Sequence, residues 1–295
     1  MAQIKRSTRN KAIGLAFISP WLAGFLIFTL YPIIETIRYS FSDVSFLPDK
    51  GVSTKYVGLN NFVKVLFVDP DFKLKIPEYL QQLFLLVPMV LVFSVLLALL
   101  LNTKLKFRRV FRAIFFLPVI IISGPVLSNL TEMGATKLNG IENFFVFKFI
   151  KQALPGAISA PLVYIFQNVV MFLWFSGVQI LIFLSALQKV DKNIYEAAMV
   201  DGASGWQKFW KITMPTLKPF IYLNAIYTIV DVSKSSLNPF IEMIKYDMFR
   251  DRYGFGFSAA ATWIYFAFIL LAVFLAYLLF GRGEKKITAD NKLQH

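Results

Sequence analysis

Charge-free apolar runs, separated by short polar or basic segments, dominate the pattern of this chain. Residues 12–34 hold no Asp, Glu, Lys or Arg, and 79–103 lie uninterrupted between Glu78 and Lys104. A third run, 113–131, is bounded by Arg112 and Glu132, and a fourth lies within the charge-free stretch 152–188, with its span expected at 161–187. A fifth begins near Pro219 and ends before Glu242, interrupted by Asp231 and Lys234; residues 254–280 supply the sixth. A bilayer core about 30 Å thick needs about 20 apolar residues at about 1.5 Å each. The pattern therefore predicts an all-α integral membrane protein with six transmembrane helices.

Composition agrees. Charged residues make up 16% of the chain, against about a quarter in soluble domains. There is no cysteine, and the only histidine is His295, so thiolate and imidazole chemistry have no residues to work with. Lys5, Arg6, Arg9 and Lys11 precede the first run, as in a signal peptide. That run is longer than a signal core and leads to Tyr31-Pro32, not to small residues, so it is expected to be retained.

The net charge of +14 takes its meaning from its distribution. Six spans put residues 1–11, 102–112, 189–218 and 281–295 on one side. These hold eighteen Lys/Arg against five acids, leaving the other side nearly neutral. Positive-inside logic makes the basic side cytoplasmic, with both termini there. The basicity is thus a topology signal, and no nucleic acid is expected as a partner. One membrane domain over 12–280 is expected between two short tails, 1–11 and 281–295. No internal repeat is evident, which weighs against inverted-repeat secondary transporters.

The loop after the fourth span, 190–218, is unusually structured. Asp191 or Asn193 suits an N-cap, and Gly202 stands where a left-handed closing residue is wanted. Ser204-Gly205-Trp206-Gln207 fits a capping box. Trp206, Phe209, Trp210 and Ile212 follow at helical spacing, with Pro215 expected to end the second helix. An aromatic helix-turn-helix must cover its apolar face, either on the protein's own helix ends and lipid or on a soluble partner.

Here the sequence resembles the permease subunits of bacterial binding-protein-dependent ABC importers, in the maltose-type carbohydrate branch. Their signature is EAA, three residues, Gly, nine residues, then Ile-x-Leu-Pro. This chain has Glu196-Ala197-Ala198, Gly202 and Ile212-Thr213-Met214-Pro215 at that spacing, with Met214 in place of Leu. Asp201-Gly202-Ala203 and Phe209 match the longer sugar-branch form. Similar segments run through the chain: Tyr31-Pro32 with Ser40-Phe41, Val57 to Phe62, Phe115-Phe116-Leu117-Pro118, Ile182 to Gln188, and Tyr253-Gly254-Phe255-Gly256. Two departures stand out. Val190-Asp191 replaces the usual Ile-Pro, and Ser235-Ser236-Leu237-Asn238-Pro239 replaces a Thr-Gly-Gly-Pro.

The resemblance implies a non-catalytic subunit in a bacterial cell membrane. It implies a second homologous permease, two ATPase subunits carrying Mg-ATP, and an external substrate-binding protein as partners, with no cofactor on this chain itself. The sequence has no Walker A pattern of its own. Glu196, Ala197, Ala198, Asp201, Gly202, Ala203, Phe209, Ile212 and Pro215 are then the expected ATPase-coupling residues. Asn168, Trp174, Trp263 and Tyr265 either pack against neighbours or offer stacking and amide groups to a sugar. Asp231 and Lys234 either pair at i,i+3 or, with Ser235 and Asn238, place a cation on the path for an acidic saccharide. A stand-alone secondary transporter or channel is the competing expectation, with Asp231 as its one firm coupling acid.

Overall fold

The first apolar run forms one continuous helix with a widened turn inside it. The computed structural model describes residues 2–47, 51–103, 144–236, 238–249 and 253–281, with isolated positions at 106, 110, 113, 114, 129 and 133. Most of the basic segment 104–112, nearly all of the third predicted span with Phe115 to Pro118, Leu237 and the tail 282–295 lie outside the described residues. The chain divides into two units, 1–73 with 243–267 and 74–242 with 268–295.

In the first unit, α1 (Ala2–Phe25) passes through a π-helical turn (Leu26–Leu30) into α2 (Tyr31–Ser40). Pro32 explains the widened turn. It has no N–H for Phe28, and its ring would collide with that carbonyl in a regular α-turn. Phe17, Trp21 and Phe28 on this helix are largely exposed, as suits lipid or a partner helix.

The all-α expectation needs one correction. A two-stranded antiparallel hairpin follows α2, with β1 (Ser42–Leu47) paired to β2 (Gly51–Tyr56) from Ser42↔Tyr56 to Leu47↔Gly51. Six-residue strands alternating around Gly51, which takes φ 70°, give a weak apolar period beside 20-residue membrane runs. The short helix α3 (Asn60–Val63) leads through a π-turn (Lys64–Val68) to α4 (Pro70–Asn102). Asp69 caps α4, its Oδ1 accepting from the Phe72 N–H at 2.7 Å.

The second unit holds most of α4, which is continuous as predicted. The fourth predicted span is instead broken. After α5 (Phe145–Ala153) come α6 (Gly156–Gln167), α7 (Val169–Phe175) and α8 (Gly177–Gln188). The axes on either side of Asn168 differ by 62°. The Asn168 side-chain amide donates to the Tyr164 carbonyl at 2.8 Å, and the Ser176 hydroxyl donates to the Phe172 carbonyl. Such back-bonding competes with the helical ladder and bends it. The chain continues through α9 (Lys192–Val200), α10 (Gly205–Lys208), α11 (Met214–Lys234), α12 (Pro239–Met248) and α13 (Gly254–Phe280).

Among the described residues, three helices are long and apolar enough to cross a membrane: Ile13–Ser40, Pro70–Asn102 and Gly254–Phe280. The bent pair Ile158–Gln167 and Val169–Phe175 adds a fourth if taken as one span. Helix α11 is long enough at 21 residues, but Lys218, Asp231 and Lys234 dilute its apolar character.

Candidate functional site

The loop between α8 and α11 is closed at each corner by local hydrogen bonds. Asp191 is the N-cap of α9, its Oδ1 accepting from the Asn193 N–H at 3.0 Å. At the other end the Ala203 N–H reaches the Ala198 carbonyl at 2.9 Å, and the Gly202 N–H reaches Met199 at 3.1 Å. These bonds form a Schellman closure, which requires a left-handed residue at Gly202. Gly202 has φ 75°, and a Cβ added there would meet nothing within 4 Å. Ser204 and Gln207 complete the capping box: the Gln207 N–H donates to Ser204 Oγ at 3.2 Å, and the Ser204 N–H to Gln207 Oε1 at 2.8 Å.

The second helix does not end at Pro215. Helix α10 runs through a π-turn (Phe209–Thr213) into α11, with Pro215 in the first turn of α11. A missing N–H is harmless there, and the fixed φ suits a helix start. The Tyr195 and Thr213 hydroxyls lie 2.9 Å apart, tying α9 to that turn. The Lys189 ammonium sits 5.9 Å from the centroid of the Phe220 ring, joining the end of α8 to α11. The loop is therefore braced to the two helices it connects.

Its outer surface is open. Glu196, Ala197, Asp201, Gly202 and Pro215 are exposed, while Ala198, Ala203, Phe209 and Ile212 are half-buried. Trp206, Phe209 and Trp210 pack edge and face on one another with centroids 5.1 to 6.2 Å apart. Trp206 is nonetheless 70% exposed and Val200 89%. Self-burial, one of the two covers expected for this apolar face, is incomplete among the described residues.

The candidate path residues are divided between the two units. Lys234 pairs with Asp231 at 3.1 Å on one face of α11, the carboxylate being the more buried partner. Ser235 is the C-cap of α11, and buried Asn238 caps α12, its Oδ1 accepting from the Phe240 N–H at 2.9 Å. Asn168 is buried at the bend, and Trp174 is half-buried on α7. Trp263 and buried Tyr265 belong to the first unit. The Trp263 indole N–H is buried with no acceptor among the described residues.

Comparison with known proteins now decides the family. The chain is 30% identical over 242 residues to a probable ABC transporter permease, YurN of Bacillus subtilis (strain 168), covering 79% of each. It is 34% identical over 219 residues to the arabinooligosaccharides transport system permease AraP of Halalkalibacterium halodurans, covering 71% of this chain and 65% of AraP. The chain belongs to the permease subunits of carbohydrate ABC importers. No family model matches it. In fold it resembles a chain of a bacterial ABC transporter involved in import of the acidic polysaccharide alginate. That match has a TM-score of 0.63 and 21% identity, covering 95% of this permease and 99% of that chain.

One feature of the permease escaped sequence reasoning. Between α8 and α11, the Gln179 amide donates to Thr228 Oγ1 at 2.9 Å, and that hydroxyl donates to the Asn224 carbonyl at 2.7 Å. All three side chains are fully buried, while Gln179 Oε1 and both amide atoms of Asn224 have no partner among the described residues. The signal was present as Asn224 and Thr228 one turn apart in an apolar helix. The meeting of Thr228 with Gln179 depends on packing across 49 positions.

Proposed function

We propose that this permease forms half of a translocation path for an oligosaccharide and is driven by ATP hydrolysis on separate ATPase subunits through the loop 190–218. The supporting observation is the loop itself: capped at both helices, braced at its base, and exposed where Glu196, Gly202 and Trp206 face outward. Such an element transmits a push to α8 and α11 with little internal give. Six spans, both termini in the cytoplasm, a second permease and an external binding protein complete the reading. In it, the three apolar helices, the broken α6–α8 segment, α11 and residues 113–131 supply the crossings.

Affinity purification of the tagged chain from its native membrane tests this. Stoichiometric recovery of an ATPase and a second permease is expected, with uptake in vesicles requiring both ATP and the binding protein. Uptake by the purified chain alone would instead establish the stand-alone transporter and overturn the reading.

An acidic or uronate-containing saccharide is the finer reading, and Lys234 supports it. Its side chain is 67% exposed although its ammonium is paired with Asp231. An exposed pair contributes little stability, so its cation remains available to a ligand carboxylate. Lys234→Met is expected to lower uptake of a uronate-containing sugar about tenfold, the loss of one charge-assisted hydrogen bond worth about 1.5 kcal/mol. Uptake of a neutral sugar of the same length is expected to change less than about twofold. Equal loss for both sugars would remove the charge preference.

A further inference from the structure

Helices α8 and α11, joined by the loop 190–218, share a polar contact inside an otherwise apolar seam. Ile180, Phe183 and Leu184 of α8 and Ala225 and Ile229 of α11 are all buried. Within that wall Gln179, Asn224 and Thr228 are fully buried as well.

The hydrogen bonds fix the orientation of the Gln179 amide. Thr228 has one hydroxyl hydrogen, and it goes to the Asn224 carbonyl at 2.7 Å. Thr228 Oγ1 therefore meets Gln179 only as an acceptor. That turns the Gln179 N–H toward it, at 2.9 Å, and leaves Oε1 without a partner among the described residues. Asn224 Oδ1 and Nδ2 are in the same position. Asn224 lies one turn from Thr228 on the same helix face, so the three atoms belong to one cluster. A buried amide without partners bears its full desolvation cost, and hydrocarbon offers no substitute.

The chemistry of these atoms selects their ligand. They comprise two acceptors and one N–H donor. A cation binds the oxygens but is repelled by the N–H hydrogens, and an anion is repelled by the oxygens. A sugar has no access, since all three side chains are fully buried. Water both donates and accepts, and a buried water typically makes about three hydrogen bonds. Side chains one turn apart stand about 5–6 Å apart at Cβ. One water spans such a distance with two bonds of about 2.8 Å.

We infer that an ordered water is held between α8 and α11, donating to Gln179 Oε1 and Asn224 Oδ1 and accepting from Asn224 Nδ2. It ties together the two helices that the loop joins. The site needs neither ATP nor sugar, so its test stands apart from the proposed function.

Radiolytic footprinting of the assembled transporter in lipid nanodiscs provides that test. An X-ray pulse converts water to hydroxyl radicals, which oxidise the nearest side chains. Phe183 is the reporter: it stands one turn from Gln179 on the same face of α8 and is fully buried from bulk water. Its oxidation is expected in the unsubstituted protein and should fall severalfold in Asn224→Leu, which keeps the shape but removes two of the three polar atoms. No oxidation of Phe183 in the unsubstituted protein would overturn the site by itself. Equal oxidation in the variant would place the water elsewhere and overturn it too. Melting temperature gives a second measure. If water is held, Asn224→Leu strands Gln179 Oε1 and lowers the melting temperature; if the amide is dry, Leu removes two unsatisfied atoms and raises it. An unchanged or raised value would refute the bridge.

Discussion

Gly202→Asp is expected to leave the permease inserted and folded but to lower ATP-driven uptake by at least about a hundredfold, equivalent to about 2.7 kcal/mol at the coupling step. The local geometry separates the two effects. Gly202 holds φ 75°, a conformation that costs a typical L-residue about 1–2 kcal/mol. Asp and Asn adopt it more readily than other residues because their short side chains hydrogen-bond locally. The Schellman bonds at Ala203 and Gly202 use backbone atoms alone, and an added Cβ meets nothing within 4 Å. Asp therefore fits the chain itself at small cost.

The space it fills is where the proposed ATPase would close around α9. There a carboxylate would add volume, and a second negative charge beside Asp201. Gly202→Asn divides those terms, since it adds the same volume without the charge. If both variants lose uptake while insertion and melting temperature hold, steric access decides. If only Asp does, charge decides. ATPase activity of the purified complex should fall out of step with sugar in either case. Normal uptake by Gly202→Asp would sink the coupling role of this loop.

The loop was legible because its determinants are local. Asp191, Gly202 and the Ser204–Gln207 pair each act within five residues, so a side chain's chemistry nearly dictates its bond. Pro215 was misread because proline disrupts a helix interior yet suits its first turn, and sequence alone does not say which position it occupies. The break at Asn168 was hidden for a related reason. An amide in an apolar run can face a neighbour, a ligand or its own backbone, and only the folded chain shows the bond to Tyr164.

Gly256→Ala is expected to destabilise the permease by about 2–4 kcal/mol, the sum of overpacking and a disturbed buried hydrogen bond. A Cβ built there lies 2.0 Å from the Ser42 carbonyl oxygen and 3.0 Å from Asn61 Nδ2. The carbonyl belongs to the first residue of β1 and has no rotamer with which to move aside. It is also held: Asn61 is buried and donates to the Ser42 carbonyl at 2.9 Å and to the Ser40 carbonyl at 3.1 Å. The amide thus clamps the junction of α2 with β1 while the start of α13 passes against it. This gives a physical reason for two separated sequence features, the Asn in 57–62 and the second Gly in 253–256, to occur together. A melting curve of the purified permease in detergent measures the cost. Asn61→Ala, which strips the donor from both carbonyls, should cost about 1–3 kcal/mol by itself. With the clamp gone the carbonyl can yield, so the double variant should fall short of the summed single losses, as contacting residues do. Strict additivity would mean that Asn61 does not hold Ser42 in place, and an unchanged melting temperature for Gly256→Ala would refute the close approach itself.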